Sequence, residues 1–390
     1  MSFQEQAAIE AAQDRAGVAE TAPQPEKRYE VAGPWVLFWW KFRKHKVAMI
    51  SLWIIVVLYL IAIFAEFLAP FDPNESNRRY IYAPPQPVHF ILPGEDGDWS
   101  FQPYVYALKT QLDRETLTRS YVEDRSKVVK IALFAKVQPY RLAGLIPLDR
   151  TLIGPANPRD HFYLLGSDRL GRDMLSRLIH GTRVSMSIGL LGVTVSLFLG
   201  ILIGGISGYY GGTLDTIIQR IIELLQSIPT IPLWMGLAAI IPLDWPPLWV
   251  YFIITIILSL IGWTSLAREV RGKFMSLKNE DFITASRLDG ISEIQIILGQ
   301  MVPSFASHII ASVTLAIPIM ILSETALSFL GIGLRSPVVS WGVLLQEAQN
   351  VRSIAQAPWL FLPGIAVVLA VLSLNFLGDG LRDAADPYAK

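Results

Sequence analysis

One stretch of this chain decides its fold, and it reads Asp281-Phe-Ile-Thr-Ala-Ser-Arg-Leu-Asp-Gly-Ile-Ser-Glu-Ile-Gln-Ile-Ile-Leu-Gly-Gln-Met-Val-Pro303. Its first part shows a short helical period carried by Phe282, Ala285, Ser286 and Leu288. Gly290 is placed to end this helix, because glycine adopts the left-handed conformation after a helix without steric cost. Ser292 and Gln295 then have the three-residue spacing of a capping box, which predicts the start of a second helix.

The predicted unit is therefore a helix, a glycine corner and a second helix, next to long apolar segments. Ile291 and Ile296 occupy the N′ and N4 positions of a hydrophobic staple, which would fix how the chain enters the second helix. A rigid elbow of this kind suits docking to a partner outside the lipid. An ordinary connecting loop is the alternative, and the local pattern leaves both interpretations open.

The composition is typical of a membrane protein. Of the 390 residues, 52% are hydrophobic and only 17% are charged, against roughly 25% in soluble proteins. The formal net charge is zero and no basic domain appears, so no nucleic-acid partner is indicated. Cysteine is absent, which excludes disulfide scaffolds, thiol catalysis and cysteine-based metal sites.

Six uncharged segments reach about the 18 residues needed to cross the core of a bilayer. They are Val47–Ala65, Val184–Leu214, Leu224–Leu243, Trp245–Ala267, Ile294–Ser323 and Ser353–Gly378. The sequence therefore predicts an all-α polytopic membrane protein with six transmembrane helices. The segment Met1–Glu30 is polar and has no apolar core, which predicts a disordered tail without a cleavable signal peptide.

Basic residues set the predicted orientation in the membrane. Four of them, with no acidic residue among them, precede the first span: Lys41, Arg43, Lys44 and Lys46. This bias predicts a cytoplasmic N-terminus, although a solvated basic patch without topological meaning is the alternative. After four spans the chain returns to the cytoplasm, and its loop is again basic: Arg268, Arg271, Lys273 and Lys278. The stretch Asp281–Pro303 and the C-terminus are therefore expected on the cytoplasmic side.

The region 72–164 is polar and rich in proline, which predicts an extracytoplasmic insertion. Two runs within it, Trp99–Ala107 and Val128–Val137, predict strands, so the insertion is expected to be partly β. It shows no catalytic constellation. The next segment, Leu165–Arg183, is basic, yet parity after one span puts it outside, because charge is a weak guide after a long translocated loop.

Three glycines recur at four-residue spacing in the second span: Gly200, Gly204 and Gly208. This spacing predicts close approach of another helix, while the general tolerance of glycine in membrane helices is the alternative. The fifth span is expected to begin after Pro303 and to contain Glu324. A charge there costs a few kcal/mol unless it faces water or a partner. Glu324 is predicted either to line a translocation path or to sit near the outer surface.

The chain carries no ATP-binding loop. Gly272-Lys273 is its only Gly-Lys pair, and Phe274 stands where the loop requires Ser or Thr. The hydrolase patterns Gly-x-Ser-x-Gly and His-Glu-x-x-His are also absent. Ion-driven carriers usually keep several ionisable residues in their spans, whereas these spans offer little beyond His308 and Glu324.

Three motifs together carry a family resemblance. The stretch Asp281–Pro303 is similar to a cytoplasmic Glu-Ala-Ala…Gly…Pro loop, whose positions are occupied by Thr284, Ala285, Ser286, Gly290 and Pro303. The segment Leu165–Arg183 looks like the signature Leu-Gly-Thr-Asp-x-x-Gly-Arg-Asp-x-x-Ser-Arg. The third motif comprises Leu327–Gly333, Ser340–Gly342 and Leu377–Pro387. From about Leu165 onward, the chain resembles the C-type permease subunits of peptide and nickel ATP-binding-cassette (ABC) importers.

The resemblance implies the type I ABC importer permease fold, in the bacterial inner membrane, and transport of peptides, with oligopeptides favoured by the long insertion. It implies no enzyme activity and no cofactor in this chain. The implied partners are membrane lipid, a second permease subunit, two cytoplasmic ATPases that bind ATP and Mg²⁺, and an extracytoplasmic substrate-binding protein. The expected division of the chain is a tail 1–46, a first span 47–71, an insertion 72–164, and a five-helix core 165–390 with a coupling loop 270–304.

The resemblance further implies that the elbow is a coupling helix seated on an ATPase. The residues expected at this contact are Thr284, Ala285, Ser286, Arg287, Asp289, Gly290 and Pro303. Because Thr284 replaces the glutamate of the family pattern, the contact is expected to involve Arg287, Asp289 or the backbone around Gly290. A stand-alone secondary carrier or channel is the alternative function, and a membrane-anchored enzyme built on the insertion is a third.

Overall fold

The computed structural model describes residues 33–93, 99–112, 119–242 and 244–385, so the predicted tail Met1–Glu30 lies outside the described residues. The helices in chain order are α1 (Pro34–Lys44), α2 (Lys46–Ile63), α3 (Ala65–Leu68), α4 (Met174–Tyr210), α5 (Gly212–Ser227), α6 (Thr230–Ala238), α7 (Pro247–Leu277), α8 (Asp281–Leu288), α9 (Glu293–Ile296), α10 (Val302–Ser304), α11 (Ala306–Phe329), α12 (Trp341–Gln346), α13 (Val351–Gln356) and α14 (Leu362–Ala385). A π-helical turn, Ile297–Met301, joins α9 to α10. Short 3-10 turns occur at Arg78–Tyr80, Glu347–Gln349 and Pro358–Phe361.

Five helical segments of the described chain are long and apolar enough to cross a membrane: α2, α4, α7, α11 and Pro358–Ala385, which contains α14. Helices α5 and α6 qualify only as a pair, and they are bent by 87° where they meet. The predicted count of six is reached when this pair is taken as one broken span. Proline causes the break, because Pro229 lacks an N–H and disfavours the helical conformation of Ile228, whose ψ is 129°.

The predicted start of the second span was wrong, whereas that of the fifth span was right. Helix α4 begins at Met174 rather than Val184, because the Asp173 carboxylate caps it by accepting the Ser176 N–H at 2.7 Å. The fifth span, predicted to begin after Pro303 and to contain Glu324, is confirmed as α11, and the first part of the uncharged run Ile294–Ser323 belongs to α9, the π turn and α10. The membrane helix itself, α11, starts only after the chain breaks at Phe305.

Helices α4 and α7 pack against each other along three glycines, which we call the glycine seam: Gly200, Gly204 and Gly208. A Cβ atom on Gly204 would clash with the carbonyl oxygen of Ala267, and one on Gly208 would lie 2.6 Å from the carbonyl oxygen of Arg271. The two backbones therefore touch directly, which only glycine permits. Helix α11 packs on α4 and α14, and α14 in turn packs on α2.

The insertion contains one antiparallel sheet of four strands in the order β1 (His89–Pro93), β2 (Trp99–Leu112), β3 (Arg119–Leu142) and β4 (Ile146–Pro155). The two predicted strands are confirmed, and both are longer than predicted. Val105 pairs with Val129 in the sheet, and both pack with Ile131 and Phe162 in a small apolar core. The insertion thus has a core of its own next to the membrane helices.

Candidate functional site

The first helix of the elbow, α8, ends at a glycine corner. Gly290 has a φ of +76°, in the left-handed region. The N–H of Ile291 donates to the Ser286 carbonyl at 3.1 Å, and the N–H of Gly290 donates to the Arg287 carbonyl at 3.1 Å. This pair of bonds is the Schellman pattern, which satisfies carbonyls that a helix end otherwise leaves unpaired. The corner is therefore a fixed turn.

One face of α8 is attached to the membrane helices. Ile283 is fully buried in an apolar cluster with side chains from α4, α7 and α11. The guanidinium carbon of Arg287 lies 5.2 Å from the centroid of the Tyr209 ring, within the range of a cation–π contact. The hydroxyl of Tyr210 donates to the Glu293 carboxylate at 3.0 Å, which ties α9 to the same end of α4. Both halves of the elbow are thus held against α4.

The second half of the elbow comprises α9, the π turn and α10. Ser292 is its N-cap residue, as predicted, but its hydroxyl is hydrogen-bonded to the side-chain oxygen of Gln295 at 2.9 Å instead of accepting a backbone N–H. The helix start was therefore correct and the capping-box bonding was wrong. The hydroxyl of Ser286 lies 2.9 Å from the side-chain oxygen of Gln300, so the two halves of the elbow contact each other.

The opposite face of the elbow is apolar and exposed. Leu288 is 84% exposed and Ile294 is 69% exposed, and Phe282 and Leu298 are exposed beside them. These side chains are held in place by the anchored face of the same short helices. Several large apolar side chains exposed on one short, fixed segment are typical of a docking surface.

The predicted coupling residues fall into three groups. Four are exposed along α8 or its end: Thr284, Ala285, Arg287 and Asp289. Gly290 forms the corner, and Ser286 is buried against Gln300 rather than exposed. Pro303 lies in α10, at the start of the last turn before α11. The elbow thus exposes some of these residues and uses others to hold its own shape.

A buried charge network lies at the other end of α4, within the predicted motif Leu165–Arg183. Asp168 accepts the backbone N–H of Arg172 at 2.9 Å and its Nε at 2.6 Å. The Nη2 atom of Arg172 donates to Glu347 at 3.0 Å, and Arg177 Nε lies 3.4 Å from the Asp168 carboxylate. Burial raises the pKa of the Glu347 carboxyl, and the charge on Asp168 raises it further.

The sequence analysis identified this motif but missed Glu347. Glu347 stands in the 3-10 turn after α12, far along the chain from Asp168 and Arg172. The only signal in the sequence was a single acidic residue in the segment between α11 and α14, which has many explanations. The network joins the start of α4 to the loop between α11 and α14.

A cleft of about 300 Å³ lies between α4, α7 and α11. Its lining includes the polar side chains Ser196, Ser265, Glu269, His308, Ser312 and Arg382. The Ser312 hydroxyl donates to the Glu269 carboxylate at 2.8 Å, and the His308 Nε2 atom lies 3.7 Å from it. Nowhere in the described residues do three or more His, Cys, Asp or Glu side chains form a group that could hold a metal ion.

Glu324 is fully buried where α4, α11 and α12 meet. Its carboxylate accepts hydrogen bonds from Ser328 and Ser340 at 2.7 Å each and from Ser185 at 3.3 Å. Ser185 in turn accepts the backbone N–H of Trp341 at 3.1 Å. In this conformation Glu324 joins the loop between α11 and α14 to the membrane helices and has no exposed surface. Its role in a translocation path stays a prediction.

Two regions of this chain match models of known protein families. Residues 200–390 match the family described as binding-protein-dependent transport system inner membrane component, and residues 33–85 match the N-terminal transmembrane domain of oligopeptide transport permease C. The dipeptide transport system permease protein DppC of Haemophilus influenzae is 31% identical over 354 residues, which cover 90% of this chain and 94% of that protein. The chain belongs to the family of binding-protein-dependent transport permeases. The predicted family resemblance is thereby confirmed.

Two further relatives match this permease over most of their length. The di/tripeptide transport system permease protein DppC of Pseudomonas aeruginosa is 30% identical and covers 95% of this chain and 97% of its own. The oligopeptide transport system permease protein OppC of Mycobacterium bovis is 35% identical and covers 71% of this chain and 95% of its own. A chain of the methionine ABC transporter MetNI, solved in inward-facing conformations, aligns at 16% identity over 55% of this chain and 98% of its own, with a TM-score of 0.43. The family assignment confirms the predicted fold class, a type I ABC importer permease.

Proposed function

We propose that this permease is a transmembrane subunit of an ABC importer for peptides, and that the elbow Asp281–Pro303 couples ATP hydrolysis by partner subunits to transport. The observation that carries the proposal is the exposed apolar face of α8, whose opposite face is fixed by Ile283 and Arg287. The substrate class rests on the relatives, which are named as dipeptide and oligopeptide permeases.

The exposed face has the character of a protein contact. Burial of one leucine side chain such as Leu288 against a partner contributes about 1.5–3 kcal/mol. Asp289 is exposed beside it and supplies polar contacts at the edge of the same surface. Because the chain lacks an ATP-binding loop, the partner that docks here brings the ATP and Mg²⁺ site.

The elbow is connected to two membrane helices, so it can transmit a displacement from a docked partner to both of them. Helix α7 leads into α8 through residues 278–280, and α10 leads into α11 through Phe305. A rigid displacement of the elbow therefore moves α7 and α11 together. The cleft with Glu269 and His308 lies between these helices, and we assign it to the wall of the translocation path next to a second permease subunit.

Each remaining segment of the chain also has a place in the proposed transporter. In this assignment the tail 1–46 and the C-terminus are cytoplasmic, 47–71 is the first span, and 72–164 is the extracytoplasmic insertion. The segment 165–390 is the permease core, with 270–304 as its coupling loop, in a bacterial inner membrane. Two ATPases, a second permease and a substrate-binding protein complete the transporter.

The decisive experiment changes the exposed face without changing its support. In the transporter assembled from all its subunits, Leu288→Asp is expected to abolish co-purification of the ATPases and peptide uptake, at unchanged membrane levels. The matched control is Val122→Asp, which places the same charge at an exposed apolar position of the insertion. This control is expected to retain both properties.

A second measurement uses the absence of cysteine from the chain. A Leu288→Cys variant is expected to cross-link to an ATPase subunit that carries single cysteines around its docking groove. Wild-type uptake by Leu288→Asp would overturn the docking assignment. Peptide uptake by this chain alone, driven by an ion gradient, would favour the stand-alone carrier instead.

A further inference from the structure

The hairpin between β3 and β4 ends in an exposed apolar tip. Leu142 pairs with Ile146 across the turn, and Ala143 and Gly144 form the turn with φ angles of +49° and +76°. Leu145 stands at the tip and is 81% exposed, and Ile146 is exposed beside it. Turns in contact with water are usually built from polar residues, so this tip has an unusual composition.

This tip lies next to the end of the first span. The backbone N–H of Ala143 is 3.5 Å from the carboxylate of Glu66 in α3, which follows α2 directly. The ring centroids of Phe134 in β3 and Phe67 in α3 are 6.1 Å apart. Glu66 also forms an ion pair with Arg183 of α4. Because charges in the lipid core are costly, this ion pair marks the level at which the apolar parts of α2 and α4 end.

The exposed apolar surface of the hairpin continues that of α2. Large apolar side chains are exposed at helical spacing along α2 and its end, namely Ile50, Trp53, Val57, Leu60 and Phe64. Such a ridge on a membrane helix faces lipid where no protein covers it. One turn further on, Phe67 packs against Phe134, and Leu133 is exposed next to it. Phe134 has a φ of +54°, which is uncommon for a bulky residue, at the point where its ring meets α3.

Basic side chains lie on the two strands behind the apolar tip, and we call them the basic rim. Lys136 and Arg150 are direct cross-strand partners on the exposed face, and Arg141 stands next to the turn. Like charges placed opposite each other destabilise a sheet, and within the described residues neither Lys136 nor Arg150 forms an ion pair. Phosphate groups would neutralise this pair. A rim of Lys and Arg around an apolar tip is the pattern that binds the surface of a membrane with anionic lipids.

We propose that the hairpin Tyr140–Arg150 is a lipid anchor. In this arrangement Leu145 and Ile146 enter the leaflet next to the insertion, while the basic rim binds lipid phosphates. The anchor holds the sheet against the end of the first span and fixes its height above the membrane. Lipid rather than protein is favoured because the apolar surface is continuous with the lipid-facing ridge of α2.

The absence of cysteine allows a direct test at single sites. The full chain carrying Leu145→Cys is labelled with a bimane fluorophore and reconstituted into vesicles of phosphatidylethanolamine and phosphatidylglycerol that contain doxyl-labelled phospholipid. The label is expected to be quenched by the doxyl lipid and protected from aqueous iodide. Because Leu145 is exposed, the substitution leaves the packing of the sheet intact.

The matched control is Val122→Cys, an exposed apolar position near the end of β3 that is far from the turn. Its label is expected to show the reverse behaviour, with quenching by iodide and none by lipid. A Leu145→Cys label that iodide quenches would overturn the proposal. So would one that neither reagent reaches, because a protein partner would then cover the tip.

The basic rim is tested in the same assay. In the Lys136→Gln/Arg150→Gln variant, quenching of the position-145 label by doxyl lipid is expected to fall. Raising the salt concentration should reduce quenching when the rim is intact, and should have less effect in this variant. Equal quenching with and without the two cations would overturn the role of the rim. A Lys109→Gln/Lys130→Gln variant, which removes two exposed cations from β2 and β3 away from the tip, controls for the change in net charge.

Discussion

Arg271 of α7 and Asp215 of α5 form a two-point ion pair, with Nε–Oδ1 and Nη2–Oδ2 distances of 2.5 and 2.6 Å. The hydroxyl of Ser207 at the end of α4 also donates to Asp215. The pair closes one end of the glycine seam, because Gly208 packs on the backbone of Arg271 itself. Three helices are thus joined at the end of the molecule where the elbow begins.

Removal of one member of this pair is expected to destabilise the protein. Hydrogen bonds to charged groups contribute about 1.5–3 kcal/mol, so Arg271→Gln should lower the free energy of unfolding by an amount of that size. Unfolding of the purified chain in mixed micelles measures it. Once Arg271→Gln is present, Asp215→Asn should add little, whereas fully additive costs would show that the two residues do not act together.

The glycine seam predicts opposite effects for two similar substitutions. Gly204→Ala places a methyl group against the carbonyl of Ala267 and should cost about 1–3 kcal/mol through overpacking. Gly272→Ala, within the same helix pair but open to space, should be neutral or stabilise by up to about 1 kcal/mol. Thermal unfolding of the two variants compares them directly. Equal stabilities would mean that α4 and α7 do not depend on this contact.

A substitution at the glycine corner is expected to impair peptide uptake without lowering the stability of the whole protein. A Cβ atom on Gly290 meets nothing within 4 Å, so Gly290→Ala is penalised only by its positive φ, at about 1–2 kcal/mol. That cost falls on the end of α8, so peptide uptake should drop while membrane levels and melting temperature change little. Gly299→Ala is the control, because Gly299 is equally open and has no positive φ. The corner would be irrelevant to coupling if both variants transported alike.

The buried carboxylate of Glu324 predicts a graded effect on stability. Glu324→Ala leaves the hydroxyls of Ser328 and Ser340 without their acceptor, and each buried unsatisfied group costs about 1–3 kcal/mol. Glu324→Gln keeps one acceptor oxygen and should lose less. The melting temperature reports a structural role of Glu324, and the KM for peptide reports a direct role in the translocation path. A large change in KM at unchanged melting temperature would favour a direct role in the translocation path.

Asp173, which caps α4 outside the membrane, predicts a component of stability that depends on pH. Burial raises the pKa of its carboxyl to about 6 from 3.8, although hydrogen bonds from Ser176 act in the opposite direction. The folded protein therefore holds this proton more tightly than the unfolded chain does. The resulting stabilisation is complete below about pH 4 and is lost as the pH rises through about 6.

Asp173→Asn should remove this component while keeping the helix cap, because asparagine is as good an N-cap residue as aspartate. Melting temperatures of both proteins between pH 4 and pH 7 provide the measurement. The advantage of the wild type is expected to shrink towards neutral pH. A constant difference across that range would contradict the assignment.

The elbow could be predicted from sequence because its signals are local. A helical period followed by Gly290 needs only the neighbouring residues to specify where α8 ends. The bonding of Ser292 could not be predicted, since its choice between a backbone N–H and the side chain of Gln295 depends on the final angle of the chain. The break at Pro229 was visible as a proline, but its 87° bend depends on how α6 packs against other helices.

The charge network at the start of α4 could not be predicted from the sequence, for a different reason. Asp168 and Arg172 are close in sequence, and their motif was recognised. Glu347 belongs to another loop, and a contact between such distant residues leaves no periodic trace in one sequence. The start of α4 was misplaced for a related reason, because a search for uncharged segments stops at Arg177 and Arg183, whose charges are paired in the fold.

The glycine seam has one more consequence. Most helix pairs absorb small displacements by letting side chains change rotamer at their interface. At Gly204 and Gly208 the contact is made by the two main chains, which have no rotamers to change. Helices α4 and α7 are therefore expected to move as one rigid body, so that a displacement at one end of the pair is passed on to the other end.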